Sequence, residues 1–237
     1  MVNLTLTSEI KVELIGQYGT DLDICKAAWV SSGVDLVDAS EKRQRGLIRS
    51  LIRASHGSPV EAGYFAFRIE APRAVRDEHV RHRIGSYSSS SLRYRRSDPV
   101  VYVPPMRRPL QKAEGFKQIQ PVYEPYSEEK WNRYLKHLVK IYTAVYQGLE
   151  EMEADGFIET EAVRWVTQDG LITPYIARFN PRSLMHFLAL RTHDENANHV
   201  SYPMWEIEQV ARQIEQHFAH YLPLTYAAFN EFGREAP

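Results

Sequence analysis

The stretch from Arg81 to Tyr94 constrains the fold of this chain more than any other segment. It begins with Arg81-His82-Arg83, continues through a serine-rich run and ends with Arg93 and Tyr94. Burying unpaired charges in a protein core is strongly unfavourable, so this stretch belongs at a surface. Arginine guanidinium groups bind phosphates bidentately, and serine hydroxyls and loop N–H groups add neutral donors. The stretch therefore predicts a site for a small polyanionic molecule.

The composition is that of an ordinary soluble globular protein. Hydrophobic residues make up 43% of the 237 residues and charged residues 25%, and the formal net charge is −1. A chain with so little net charge has no global attraction to nucleic acid, and no apolar run is long enough to span a bilayer. The N-terminus lacks the basic start and apolar run of a signal peptide. We therefore expect a cytoplasmic protein with neither a nucleic-acid nor a membrane partner.

Cysteine and histidine usage narrows the chemistry further. Cys25 is the one cysteine, which excludes an internal disulfide and a cysteine-rich metal site. It falls in an apolar helical pattern, so we predict a core residue and not a nucleophile. A zinc site could be imagined from His79 and His82, or from His193 and His199 near Asp194 and Glu195. Neither pair has a second pair at ligand-like spacing, and nearby arginines would repel a cation, so we expect no metal.

Helical and strand patterns are interspersed without a regular strand–helix–strand rhythm, which favours an α+β fold. We predict one domain, residues 1–237, with helices around an antiparallel-rich sheet. The predicted strands cover 10–14, 65–70 and 171–179, and the predicted helices cover 21–30, 40–54, a short helix from Pro72, 127 to about 156, 160–166, 180–192 and one that opens at Pro203. Residues 104–126 contain five prolines and little periodicity, which predicts a long functional or mobile loop.

Two further segments present polar side chains. The segment from His56 to Glu61 follows a predicted helix. It forms either an ordinary helix-ending turn or a polar group at a sheet edge that contacts a cofactor. The segment from Asn180 to Arg191 predicts a helix. Arg182 and His186 are four residues apart in it and share a face, whereas Arg182 and Arg191 are nine apart and point in roughly opposite directions. One helix therefore cannot aim both arginines into a single pocket on one side.

Together these segments resemble the flavin-dependent thymidylate synthases. The pattern Arg-His-Arg, seven residues, then Ser is similar to the signature of that family. The segment from His56 to Glu61 resembles its His-x-Thr/Ser-Pro-x-x-Glu element, and the segment from Asn180 to Arg191 resembles its Asn-x-Arg-Ser-Leu-x(5)-Leu-Arg helix. Ala27-Ala28-Trp29-Val30-Ser31 resembles a smaller element, and Arg164 stands where the family has an arginine that reaches the nucleotide.

The resemblance implies a flavin-dependent thymidylate synthase fold and the methylation of a uridine monophosphate nucleotide at C5. FAD would be the cofactor, methylenetetrahydrofolate the carbon donor, a flavin hydride the reductant and NADPH the electron source. Active sites would lie at the subunit interfaces of a homotetramer. The implied FAD contacts are Ser31, His56, Ser58, Glu61, Arg81, His82, Arg83, Ile84, Ser88, Asn180, Arg182 and His186. The implied nucleotide contacts are Glu78, Ser89, Ser91, Leu92, Arg93, Arg164 and Arg191, with Arg191 stabilising charge on the uracil carbonyls and Ser91 as a positioning hydroxyl.

Several positions depart from the family pattern. Glu78 stands where glutamine is common, Ser88-Ser89 where Asn-Glu is usual, and His186 where asparagine is common, and the run after Arg191 is longer. Because the first two departures lie near the nucleotide sugar in the family, both dUMP and UMP stay open as substrates. An alternative of another class is a non-catalytic nucleotide- or RNA-binding module, which the Arg81 cluster and Arg107-Arg108 would support and the low net charge opposes.

Overall fold

In the computed structural model the described residues are 4–33, 40–91, 99–105, 107–114, 117–125, 127–156, 166 and 168–237, with only the backbone described for 107–114 and 117–125. Contacts along the chain define two compact units. Unit 1 contains Met1–Ile10, Glu70–Asp77 and Ser89–Tyr175, and unit 2 contains Lys11–Ile69, Glu78–Ser88 and Ile176–Pro237. The single domain of residues 1–237 stays a prediction.

Strands and helices are interspersed throughout the described part of the chain. The strands are β1 (Thr5–Thr7), β2 (Lys11–Tyr18), β3 (Tyr64–Pro72), β4 (Ser86–Ser89), β5 (Val100–Tyr102), β6 (Arg107–Glu114), β7 (Lys117–Pro125) and β8 (Ile172–Phe179). The helices are α1 (Asp21–Ser32), α2 (Glu41–Arg53), α3 (Arg73–His79), α4 (Glu128–Ala154), α5 (Pro181–Arg191), α6 (Trp205–Tyr221) and α7 (Pro223–Glu231), and Ser58–Glu61 form a 3-10 turn. Strands β2, β3, β8 and β4 hydrogen-bond in that order into one sheet. The predicted α+β class is confirmed.

Helix starts follow the capping residues that the sequence indicates. Thr20 precedes α1 and forms a reciprocal capping box with Asp23. The Ser127 hydroxyl accepts a hydrogen bond from the Lys130 N–H at the start of α4. These local signals placed α1, α2, α4 and α5 within a few residues of their observed bounds. No helix in the described ranges combines the length and the apolar character that crossing a membrane requires.

The core of unit 2 is built on strand β3. Phe65 and Phe67 are fully buried and stack with ring centroids 6.1 Å apart. Phe218 of α6 meets Phe65 edge-on at 6.2 Å, and Phe229 of α7 is also fully buried. Aromatic pairs of this geometry add to the stabilisation that comes from burying their surface. The strand that leads from the 3-10 turn to α3 is therefore held firmly by packing.

The predicted long loop at 104–126 is wrong for most of its length, because β6 and β7 form an antiparallel hairpin there. Its register pairs Arg107 with Pro125, Pro109 with Tyr123, and Gln111 with Pro121. Proline lacks an N–H, which disfavours it inside a sheet, but it is tolerated in edge strands, and both strands of a two-stranded ribbon are edges. Elsewhere in unit 1, β1 and β5 pair in parallel.

Smaller differences from the predictions have local causes. Pro72 ends β3 instead of opening the following helix, and α6 begins at Trp205, two residues after Pro203. The serine-rich run after Gly85, interpreted as a loop, contains the edge strand β4, in which Tyr87 is half-buried between exposed serines. Helix α7 was not predicted. The predicted helix at 160–166 lies, apart from residue 166, outside the described residues.

Candidate functional site

Helix α5 places two of the predicted site arginines at its opposite ends. Asn180 caps the helix by accepting a hydrogen bond from the Ser183 N–H at 2.7 Å, so Arg182 lies in the first turn and Arg191 is the last residue. At about 1.5 Å of rise per residue, their Cα atoms are roughly 13 Å apart along the helix axis. The two side chains contact different partners, which agrees with the predicted opposite orientations.

The Arg191 guanidinium is held by two side chains from the end of α3 and the turn after it. Its Nη1 donates to Glu78 Oε1 at 2.5 Å, and its Nε donates to His82 Nε2 at 2.9 Å. Glu78 and His82 are four residues apart, a spacing that puts both on one side of a helical turn. The Arg191 and Glu78 side chains are 24% and 26% exposed. Within the described part of the chain Arg191 Nη2 has no hydrogen-bond partner, which leaves it available to a ligand.

His82 is the neutral member of this cluster. Its side chain is buried, and burial, followed by the charge of Arg191 and the neighbouring His186, lowers its pKa from 6.5 to about 4. The hydrogen bond from Arg191 requires the same state, because a protonated Nε2 could not accept it. The His186 ring lies 6.5 Å from the His82 ring, and His186 is exposed. The cluster therefore combines a cation, a carboxylate and an uncharged imidazole.

Aromatic rings support His82 from the protein interior. The fully buried His79 ring stacks on Phe187 at 4.4 Å and on Phe179 at 5.6 Å, and Tyr87 meets it edge-on at 5.3 Å. Burial, followed by the interactions with His82 and Arg191, lowers the pKa of His79 well below 6.5. The Tyr87 hydroxyl donates to the His82 carbonyl at 3.1 Å, and burial raises the pKa of Tyr87. These contacts fix the His82 backbone and the position of its ring.

The turn that carries His82 directs the neighbouring predicted cofactor contacts to solvent. Arg81, Arg83 and Ile84 are exposed, whereas His82 is buried. At Gly85 a Cβ atom would lie 2.7 Å from the Phe179 ring, so only glycine allows this close approach. The three cationic or titratable residues of the signature therefore divide into one inward imidazole and two outward guanidinium groups.

The Arg182 guanidinium lies over the turn before the 3-10 residues. Its Nη1 donates to Glu61 Oε1 at 2.8 Å, and its Nε donates to the carbonyl oxygen of Pro237. A Cβ atom on Gly57 would come within 2.5 Å of Arg182 Cζ, so glycine is needed beneath the arginine. His56 and Ser58, on either side of Gly57, are exposed. An exposed guanidinium with a hydroxyl and an imidazole nearby suits an anionic ligand that accepts hydrogen bonds.

The other predicted ligand contacts form no hydrogen bond with Arg182 or Arg191 among the described residues. Ser31 lies near the end of α1, where its hydroxyl donates to the Ala28 carbonyl at 2.7 Å. Helix α1 and helix α5 both contact the 3-10 turn, which brings the elements of Ser31 and Arg182 to one turn. Ser88, Ser89 and Ser91 are exposed in and after β4. Leu92, Arg93 and Arg164 lie outside the described residues, and their nucleotide contacts stay predictions.

Sequence reasoning predicted Glu61, Glu78 and His82 as site residues but missed residues that support His82 and Arg182. His79 was weighed only as a metal ligand, and Tyr87, Gly57 and Pro237 were given no role. The spacing of Glu78 and His82, four residues apart, was a usable signal for a shared partner. Nothing in the local sequence indicates that Pro237 contacts Arg182, which is 55 residues away.

Comparisons with known proteins bear on this geometry. The family described as Thymidylate synthase complementing protein (Thy1) matches residues 13–224. The flavin-dependent thymidylate synthase of Streptomyces avermitilis is 40% identical over 236 residues, covering 97% of this chain and 94% of the relative. The flavin-dependent thymidylate synthase of Tropheryma whipplei, strain TW08/27, is 37% identical over 235 residues, covering 97% of this chain and 96% of the relative.

Solved structures are similar over nearly the whole chain. The UMP/dUMP methylase PolB from Streptomyces cacaoi bound with 5-Br UMP matches with a TM-score of 0.86 and 35% identity, covering 99% of both chains. The same methylase bound with 5-Br dUMP matches with a TM-score of 0.87 and 33% identity, covering 98% of this chain and 100% of the other.

The likeness extends from sequence to fold without a large unmatched segment. The family match spans most of the chain, and relatives and solved structures cover it almost completely. The predicted fold and the prediction of an enzyme are both confirmed. The chain therefore belongs to the flavin-dependent thymidylate synthase family and is a methyltransferase-type enzyme.

Proposed function

We propose that this enzyme methylates C5 of the uridine monophosphate nucleotides dUMP and UMP. Methylenetetrahydrofolate is the proposed carbon donor, FAD the proposed flavin and NADPH the proposed electron source. The observation that carries the proposal is the arrangement of Arg191: His82 holds its Nε, Glu78 holds its Nη1, and no described residue bonds to its Nη2. A guanidinium fixed in this way can stabilise negative charge that develops on a uracil carbonyl.

The neutral state of His82 strengthens the role of Arg191. A protonated His82 ring would repel the Arg191 guanidinium and could not accept its hydrogen bond. The neutral ring accepts that bond at 2.9 Å and so holds Arg191 in place. The Glu78 carboxylate lies against Arg191 and offsets its positive charge. Because hydrogen bonds to charged groups are stronger where water is partly excluded, the half-buried position favours electrostatic stabilisation.

The Arg182 cluster is the proposed site for the flavin. Arg182, His56 and Ser58 supply a cation, an imidazole and a hydroxyl around Gly57, a donor set that fits an anionic dinucleotide. Arg81, Arg83 and Ile84 face solvent and are proposed to contact FAD at a subunit interface of a homotetramer, with Ser31, Glu61, Ser88, Asn180 and His186 as further contacts. When bound, the flavin supplies the hydride-transfer chemistry that amino-acid side chains lack.

A cysteine-nucleophile mechanism is disfavoured by the position of Cys25. The side chain is fully buried, and burial, followed by the nearby Asp21 charge, raises the pKa of its thiol to about 11. The thiolate is the reactive form of cysteine, so a thiol with this pKa is a poor nucleophile near neutral pH. The proposed chemistry therefore depends on positioning and electrostatics, with Ser91 as a positioning hydroxyl.

Both dUMP and UMP are proposed substrates. The solved UMP/dUMP methylase was bound with 5-Br UMP and with 5-Br dUMP. In this chain, Glu78 and Ser89 occupy positions that the family resemblance places near the nucleotide sugar. Leu92, Arg93 and Arg164 are proposed to complete the nucleotide site. The alternative of a non-catalytic nucleotide- or RNA-binding module is wrong, because the chain belongs to an enzyme family.

The proposal is tested by flavin content and by methylation assays. The purified protein should show flavin absorbance and should convert dUMP, UMP or both to the 5-methyl products with methylenetetrahydrofolate and NADPH. We expect UMP and dUMP to compete within about tenfold, a free-energy gap of about 1.4 kcal/mol. A protein that binds no flavin, or a flavin-loaded protein that methylates neither nucleotide, would overturn the proposal. Complete rejection of UMP would restrict the substrate to dUMP.

A further inference from the structure

The segment Gly233–Pro237, here called the tail, is anchored to the rest of unit 2 by a buried arginine. The Arg234 side chain is 3% exposed, and its Nη2 donates to Glu215 Oε1 at 2.7 Å and to Thr192 Oγ1 at 2.8 Å. Its Nη1 donates to Asn230 Oδ1 at 2.7 Å. Removing one partner of a buried ion pair strongly destabilises a protein, so these bonds keep the tail in one place.

The backbone of the tail is fixed at the same point. Gly233 and Arg234 both have positive φ angles, 76° and 60°, and the Arg234 N–H donates to the Phe229 carbonyl at 2.8 Å. The Asn198 N–H donates to the Gly233 carbonyl at 2.9 Å. A non-glycine residue with positive φ is strained and persists where surrounding contacts determine the conformation. The tail therefore leaves α7 in a defined direction.

That direction brings the end of the tail to Arg182. Pro237 is buried, and its carbonyl oxygen accepts the hydrogen bond from Arg182 Nε. A Cβ atom on Gly57 would lie 2.7 Å from the same Pro237 oxygen. The Pro237 oxygen therefore lies against both Arg182 and Gly57, which connects the tail to the predicted cofactor turn.

We propose that the tail is a positioning element of the flavin site. The Pro237 main-chain oxygen holds Arg182 Nε and the Glu61 carboxylate holds Nη1, so the guanidinium is presented over Gly57, and among the described residues Nη2 has no partner and is left for the ligand. Arg234 makes this possible by anchoring the tail to Glu215. Arg182 binds the ligand, and the tail acts through it. This inference rests on the proposed assignment of Arg182 to the flavin.

Deletion of Ala236 and Pro237 tests the tail directly, because it removes the acceptor of Arg182 and keeps the Arg234 anchor. Flavin affinity of the deletion variant should fall about tenfold, the lower end of the effect of a lost hydrogen bond to a charged group. Affinity for dUMP should stay within about twofold. The control is Glu235→Ala, which removes the bond from Asn198 Nδ2 at 3.1 Å and leaves Pro237 in place, and its flavin affinity should match wild type. All affinities are measured by fluorescence and absorbance titration.

A double-variant cycle separates positioning from general loosening of the fold. In an Arg182→Lys background the deletion should have no further effect on flavin affinity, because the group that the tail positions is gone. Insertion of one glycine between Glu235 and Ala236 moves the Pro237 carbonyl without removing it and should reproduce the deletion. Unchanged flavin affinity in a folded deletion or insertion variant would overturn the inference, as would additive losses with Arg182→Lys. A wild-type protein that binds no flavin would instead refute the proposed function.

Discussion

The neutral His82 predicts a loss of stability in mild acid that a single substitution should reduce. The pKa of this imidazole is about 4 in the folded protein, against 6.5 as its ordinary value, because it is buried and lies against Arg191. The unfolded chain therefore binds a proton between these two pH values while the folded protein does not. His82 makes its full contribution to stability above about pH 6.5, and this contribution is lost progressively as the pH falls towards about 4.

The magnitude follows from the difference between the two pKa values. A difference of 1 in pKa corresponds to about 1.4 kcal/mol, so the effect is about 2 kcal/mol at pH 5 and about 3 kcal/mol at pH 4, and it approaches about 3.4 kcal/mol at lower pH. Since the pKa of His79 is lowered as well, wild-type protein should lose more than this amount. In His82→Gln the amide oxygen can still accept from Arg191 Nε and no longer titrates. The variant should therefore lose about 2 kcal/mol less than wild type between about pH 7.5 and about pH 5.

Urea unfolding followed by tryptophan fluorescence, at fixed ionic strength and protein concentration, measures these differences. His137→Gln, at an exposed position on α4, is the matched control for the loss of one histidine and should keep the wild-type pH dependence. The comparison is between two pH values within each protein, so a uniform stability change from the substitution cancels. Equal acid losses in wild type and His82→Gln would refute the reasoning, and so would an NMR titration of His82 with a midpoint near its ordinary value.

Further predictions concern the two arginines, the cysteine and the glycine beneath Arg182. Arg191→Lys should weaken nucleotide binding by roughly ten- to a hundredfold with flavin affinity nearly unchanged, and Arg182→Lys should do the reverse, because lysine cannot keep the bidentate geometry. Calorimetric titrations that show equal losses of both ligands in both variants would contradict the division. Cys25→Ser should retain methylation turnover in steady-state assays, since the buried thiol is protonated, and inactivity of a folded variant would indicate a thiolate. Gly57→Ala should displace Arg182 and lower flavin affinity about tenfold. The control Gly46→Ala, whose Cβ meets no atom within 4 Å, should keep the wild-type flavin affinity. Equal flavin affinities of the two variants in titrations would count against this geometry.

Elements with local signals were predictable from the sequence. Thr20 and Ser127 are capping residues directly before α1 and α4, and Asn180-Pro181 marks the start of α5. The α+β class and the opposite orientations of Arg182 and Arg191 also follow from periodicity alone. These features depend on neighbours in the sequence, so the sequence contains the necessary information.

Features with distant partners were missed for a physical reason. Helix α7 has Leu222 at its N-cap position, and its first N–H groups are instead capped by Asp21, whose carboxylate accepts from the Leu224 and Thr225 N–H groups at 2.8 and 3.0 Å. Those partners are 203 and 204 residues apart. The contact between Arg182 and Pro237 is of the same kind. Local pattern reasoning detects neither, because each depends on how the chain packs.

The two arginines of α5 share one arrangement, in which Nη1 donates to a carboxylate and Nε to a second acceptor. Ordering a long, flexible side chain on binding costs about 0.5–1.5 kcal/mol of conformational entropy. In this protein both guanidinium groups lose that freedom during folding, before a ligand arrives. The entropy cost of ordering these side chains is therefore not added to the cost of binding at Arg182 and Arg191, and the contacts that hold them favour tighter binding of a ligand.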